Sequence, residues 1–226
     1  MRRLGYTRYV AQGGDVGAAI TDQMGRQAPE GLLGIHMNLL VPALGGPLSM
    51  DSEAERAAAE QLATFRASGI GYLIEQNTRP QTIGYALLDS PIALAGWMLD
   101  HDTDSYYKIS RAFVDGQPSG GLTRDHVLDN ITTYWLTGTG ASAARSYWEG
   151  TRATALAAGH TPPEVKLPVG FTVFPGEIFR APRSWAEKVY PNLTYFNEVD
   201  KGGHFAAWEE PELFATEIRA AFRPLR

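Results

Sequence analysis

Tyr9-Val10-Ala11-Gln12-Gly13-Gly14-Asp15-Val16-Gly17-Ala18 decides how the rest of this 226-residue chain is read. A short β-prone run, Tyr9 to Ala11, reaches two glycines and an aspartate. A third glycine follows, and then a helix-prone segment from Ala18 to Gln27. Small-x-Asp-x-small between a strand and a helix has the pattern of a nucleophile elbow, a turn so sharp that only residues with little side chain fit around the reactive one. Serine usually holds the middle position, and aspartate here changes the chemistry. A carboxylate is already ionised and attacks carbon directly, giving an alkyl-enzyme ester. The plainer reading of the same stretch is a glycine-rich turn whose Asp15 caps the helix after it.

Working outward, Gly31 to Leu39 reads as a short buried strand, so the first forty residues are strand, helix, strand, the signature of a parallel sheet. Pro42 to Pro47 is a break. Ser52-x-x-Glu55 then forms a capping box that opens an alanine-rich helix to about Ser68. Helical spacing continues over Gln81 to Leu99, interrupted by Pro91, while 103–121 reads as a polar excursion. Further helices are expected over Asp125 to Thr137 and Ala141 to Trp148. Alternation returns at the end. Leu167 to Phe174 is a strand stopped by Pro175, Ser184 to Val189 a helix, Leu193 to Val199 a strand, and Pro211 to Phe222 a closing helix. The expected fold is α/β: a parallel sheet of about four visible strands, split by a helical insertion. The segments are 1–45 (core with elbow), 46–150 (helical cap) and 151–226 (core, second part).

Composition limits the functions open to such a fold. Hydrophobic residues make up 44% and charged ones 20%, as in an ordinary globular protein, and the net charge of −5 argues against nucleic acid or an anionic membrane as partner. With no cysteine, thiolate catalysis and disulfides are excluded. The start, Met1-Arg2-Arg3-Leu4-Gly5-Tyr6, leads into no apolar stretch, and no run approaches the ~20 apolar residues of a spanning helix, so the expectation is a cytoplasmic chain. No pair of the five histidines has metal-ligand spacing, and no metal is assigned.

Two further residues stand where an Asp elbow needs them. Glu177 follows the strand ending at Phe174, and His204, in Gly202-Gly203-His204, follows the strand ending at Val199. Elbow, acid and histidine in that order, each past the C-terminal end of a strand, is the arrangement of a hydrolytic triad on an open α/β sheet. Taken singly, Glu177 reads as a solvated loop carboxylate and His204 as a structural loop histidine. The others, His36, His101, His126 and His160, have no comparable setting.

These residues carry a resemblance. Asp15 in Gly-Gly-Asp-Val-Gly, Glu177 in Phe174-Pro175-Gly176-Glu177-Ile178, and His204 in Gly202-Gly203-His204-Phe205-Ala206-Ala207-Trp208-Glu209-Glu210-Pro211-Glu212 are similar to the microsomal-type epoxide hydrolases, which include the juvenile-hormone hydrolases. Asp89-Ser90-Pro91 with Gly96-Trp97, and Tyr134 to Thr139, are similar to that family as well. The resemblance implies an α/β-hydrolase fold, a nucleophile at Asp15, a water-activating pair in His204 and Glu177, and a backbone oxyanion donor at Val16. It also implies two cap tyrosines on the epoxide oxygen, matched here by Tyr72 and Tyr147. Spacing alone would not pick those two from ten tyrosines. The implied reaction takes an epoxide and water to a vicinal diol with no cofactor.

Two departures from the family stand out. The residue after the nucleophile is usually Trp, and here it is Val16; the same absence weighs against the alternative of a haloalkane dehalogenase. The family's His-Gly-x-Pro oxyanion loop, which precedes the elbow, has no counterpart, since Gly159-His160-Thr161-Pro162 lies after it. The sequence therefore reads as a C-terminal portion of such an enzyme. A complementing N-terminal piece or self-association would then cover the open sheet edge, and a non-catalytic binding module is the competing reading.

Overall fold

The computed structural model describes residues 1–45, 48–100, 108, 120–156 and 162–226. Most of the 103–121 excursion, with His101 and His160, lies outside them. The described chain forms two compact units, one of residues 1–63 with 162–226 and the other of 64–161. These divisions fall at 63/64 and 161/162, whereas the sequence reading placed them at 45/46 and 150/151. The helix following the proline break belongs with the sheet.

The first unit is a parallel sheet in the order β1 (Tyr9–Gly13), β2 (Leu32–Met37), β3 (Val169–Val173), β4 (Leu193–Glu198). Gly13 pairs with Met37, Met37 with Phe171, and Phe171 with Phe196, so the C-terminal ends of the strands line up at one edge. Strands β2 and β3 are central and almost wholly buried, which is why they read as continuous apolar runs, while β1 and β4 are half-buried. Among the described strands β1 is an outer one, and its Val10 is 38% exposed.

Helix α1 (Val16–Gln27) follows the elbow. Ile35, Met37, Val169 and Phe171 fill the core together with Phe179, Trp185 and Tyr190. Helix α2 (Glu53–Thr64) opens on the expected capping box: Ser52 Oγ accepts from Glu55 N at 3.2 Å and Glu55 Oε2 from Ser52 N at 3.3 Å. Ser184 Oγ, at the start of α8 (Arg183–Val189), also donates to Glu55 at 2.6 Å, and such donors hold its carboxyl down to about 2. The α-helix stops short of Ser68 because Phe65–Gly69 widens into a π turn.

The second unit is helical: α3 (Gly71–Thr78), α4 (Pro80–Asp89), α5 (Pro91–Leu99), α6 (Arg124–Thr137) and α7 (Gly140–Leu156). Pro91 starts α5 instead of kinking one long helix, because Ser90 caps it by accepting from Ala93 N. Thr123 caps α6 in the same way, through His126 N. Helices α4 and α7 approach closely where Gly84 faces Ala141 and Gly140 faces Leu87. Helix α3 is absent from the sequence reading. Its apolar residues are few, and the helix is held by packing on α7.

Candidate active site

Asp15 sits between β1 and α1 with φ 48° and ψ −125°, a conformation non-glycine residues rarely adopt. Its side chain makes no capping hydrogen bond to α1, so the plainer reading of Asp15 as a helix cap does not hold. The turn instead lifts the carboxylate off the sheet, leaving it 44% exposed. Gly13 makes the turn possible, since a Cβ there would lie 2.0 Å from Gly17 O and 2.3 Å from its carbonyl carbon. Val16 is the first helical residue, where a backbone N–H has no intrahelical acceptor and the helix end favours negative charge.

The acid and histidine loops are tied to each other. Gly176 N donates to Gly202 O at 3.0 Å, and Gly176 and Gly203 form an isolated parallel bridge. Gly202 has φ 96°, a value that suits glycine. Both side chains are nearly solvent-free. His204 Nδ1 lies 2.5 Å from Glu177 Oε1, which also accepts from Ile178 N at 2.9 Å. On its other side, His204 Nε2 lies 3.7 Å from Asp15 Oδ2. The structure thus brings Asp15, Val16, Glu177 and His204 together, at the strand ends where the sequence order puts them.

Burial opposes charge on His204, but hydrogen bonds and Coulombic attraction from Asp15 and Glu177 outweigh it and push the imidazole up to about 10. The site opens into a pocket of about 280 Å³ lined by Gln12, Gly14, Asp15, Asn38 and His204, with Phe205, Trp208 and Phe214 as its aromatic wall. Three polar or acidic side chains, Gln12, Asp15 and Asn38, and the His204 imidazole on an apolar wall suit a small, mostly apolar molecule with one reactive polar bond.

Tyr72 and Tyr147 lie in the helical unit, on α3 and α7. Their rings meet edge to face with centroids 6.3 Å apart. Among the described residues no group of three or more acidic or histidine side chains is placed to hold a metal. Two residues of the site were not legible in the sequence, Asn38 and Gln12. Asn38 Nδ2 reaches Glu177 Oε2 at 3.5 Å, and Gln12 Nε2 donates to Asn38 Oδ1 at 3.0 Å. The one available signal was a polar residue directly after the apolar run of β2. His36, on that strand, is fully buried and its pKa falls to about 4. Its Nε2 meets Thr172 Oγ1 at 2.9 Å, away from the site.

No family model matches the chain. A curated relative, a putative epoxide hydrolase of Stigmatella aurantiaca, is 47% identical over 230 residues, which is 100% of this chain and 49% of the relative. Among solved structures, the epoxide hydrolase of Aspergillus niger superposes with a TM-score of 0.76 at 28% identity, covering 100% of this chain and 55% of that one. The juvenile hormone epoxide hydrolase of the silkworm Bombyx mori gives 0.75 at 27% identity, covering 100% of this chain and 57% of that one. The chain spans about half the length of the relatives it matches.

Proposed function

We propose, for a chain that belongs to the epoxide hydrolases of the α/β-hydrolase fold, that Asp15 opens an epoxide through a covalent ester which His204, backed by Glu177, hydrolyses to a vicinal diol. The observation that carries this reading is His204 lying between two carboxylates, Glu177 on Nδ1 and Asp15 on Nε2. A serine nucleophile needs a base to ionise it, whereas an aspartate does not. The histidine is therefore left for the second half of the reaction.

In the first half-reaction, a carboxylate oxygen of Asp15 forms a bond to one epoxide carbon as the carbon–oxygen bond behind it breaks. The freed oxygen takes a proton. Its donors are Tyr72 and Tyr147, a role resting on the family resemblance and on the contact of the two phenols within the helical unit. Ester formation removes the negative charge of Asp15, one of the two charges that hold His204 protonated. The imidazolium then gives up its proton more readily, which makes good the one the phenols supplied, and the neutral imidazole becomes a base when a base is needed. Water loses a proton to Nε2 and attacks the ester carbonyl, whose oxyanion faces the Val16 N–H at the start of α1. The tetrahedral adduct collapses with cleavage of the bond to the alkyl oxygen, and that oxygen takes the proton back from His204 Nε2. Release of the diol restores the Asp15 carboxylate with one oxygen from water. Removing a strained electrophile in this way is a detoxifying reaction.

Oxygen-18 water tests the sequence of steps. Over many turnovers with a styrene-oxide-type epoxide, the peptide carrying Asp15 is expected to take up oxygen-18. Diol formed without label in that peptide would mean direct attack of water on the epoxide, and a folded chain that makes no diol would remove the reading for this chain.

The charge state of His204 is also measurable in the resting protein. Its pKa is raised in the fold to about 10 from an ordinary 6.5, so its contribution to stability is complete below about pH 6.5 and is lost as pH rises through about 10. The thermal midpoint is expected to fall over that window, and more steeply than in His204→Gln measured alongside. Parallel curves for the two proteins would show that His204 is not held as an imidazolium.

A further inference from the structure

The geometry points to Asn38 as a positioning residue that locks the acid Glu177 to the nucleophile turn; this deepens the reading above and rests on it. Asn38 directly follows β2 and is 4% exposed, and a buried amide is costly unless both its ends are paired. Both ends are used. Nδ2 faces Glu177 Oε2 at 3.5 Å, and Oδ1 accepts from Gln12 Nε2 at 3.0 Å.

The direction of donation is forced. An ionised carboxylate only accepts, so the amide must turn its NH₂ to Glu177, which leaves Oδ1 to accept the hydrogen bond that Gln12 Nε2 donates. Gln12 belongs to β1, three residues before the nucleophile. The same amide also lies against the turn itself. A Cβ at Gly14 would come within 2.8 Å of Asn38 Oδ1 and 3.0 Å of its Nδ2. Asn38 therefore touches the elbow through Gln12 and Gly14, and the acid through Oε2.

Glu177 needs such a partner. Its Oε1 is held by Ile178 N and by His204, which defines one oxygen. A carboxylate fixed at one oxygen still turns about its last torsion, and the imidazole bonded to it turns with it. Holding Oε2 as well sets the plane of the carboxylate and so the direction in which His204 Nε2 points. Ester hydrolysis depends on that direction. Attack by Asp15 does not use the base and depends on it less.

Asn38→Asp and Asn38→Ala, each checked for a cooperative melt, test this. The Asp variant keeps the shape but turns an acceptor on an acceptor; the Ala variant removes the contact without adding charge. Two readouts are followed. One is the imidazole Nδ1–H proton resonance of His204 in the resting protein, which needs no turnover. The other is the ratio of ester formation to ester hydrolysis, from intact mass during reaction with a styrene-oxide-type epoxide. Both variants are expected to shift or broaden the resonance and to slow hydrolysis about tenfold more than ester formation. If the resonance and the ratio match the parent in either folded variant, Asn38 is packing only. An equal loss in both steps would also overturn the assignment, because it places Asn38 with the nucleophile and not the acid. If the parent chain forms no ester at all, the functional reading fails, and the resonance alone still decides whether Asn38 orients His204.

Discussion

Brief mixing of His204→Gln with a styrene-oxide-type epoxide is expected to leave the protein heavier by one epoxide, on the peptide that carries Asp15. In the proposed reaction the nucleophile is the Asp15 carboxylate, held off the sheet by a turn that does not involve the histidine, so the first bond should form in the variant as in the parent. The second step is different. Water must lose a proton as it attacks the ester, and a positioned general base contributes roughly 10²–10⁴-fold to such a step. Glutamine has a similar reach but cannot take that proton. The ester should therefore accumulate, and diol release should fall by a factor in that range. Asp15→Asn, run in parallel, should gain no mass, because a neutral amide is a poor nucleophile. Diol production by His204→Gln at the parent's rate with no adduct would mean that Asp15 does not attack carbon. An adduct on another residue would move the nucleophile elsewhere.

The second large effect concerns the turn that exposes that carboxylate. Gly13→Ala places a methyl group 2.0 Å from Gly17 O and 2.5 Å from Thr21 Oγ1. The threonine could rotate, but the backbone carbonyl cannot move unless α1 separates from β1. Overpacking that is relieved only by backbone shifts lies at the severe end of single substitutions, about 4 kcal/mol or more. Gly13→Ala should lose its cooperative melt or lower the midpoint sharply. Gly17→Ala is the counterpart four residues on. Its Cβ meets nothing within 4 Å, and in a helix alanine is favoured over glycine by about 1 kcal/mol. Its melt should be unchanged or slightly higher. Similar losses in both variants would show that the Gly13 contact with Gly17 does not set the crossing of strand and helix. Although both glycines belong to one motif, only Gly13 is required by contact.

What was legible in the sequence follows from local rules. Parallel strands buried on both faces must be continuous apolar runs, and Leu32–Met37 and Val169–Val173 were visible for that reason. Ser52 and Glu55 marked the start of α2 because a capping box is a contact between neighbours in the chain. Asp15, Glu177 and His204 could be named because each follows the C-terminal end of a strand, and in a parallel sheet those ends meet at one edge. The composition contributed the absence of thiol chemistry.

Other features depended on contacts between residues far apart in the chain. Helix α3 has little periodicity of its own. The capping-box helix joins the sheet unit partly through Ser184, which lies 129 positions away. The orientation of Asp15 came from a backbone conformation, and the state of His204 from two carboxylates on different loops, neither of which a residue pattern encodes. Asn38 is the clearest case: beside Leu39 it is one more polar residue closing a strand. Only folding sets its amide between Gln12, Gly14 and Glu177, where burial obliges both ends to find partners. Order along the chain determined which residues could form the site. The tertiary structure decided which groups orient them, because orientation is set by buried hydrogen bonds, and those join residues that the sequence keeps apart.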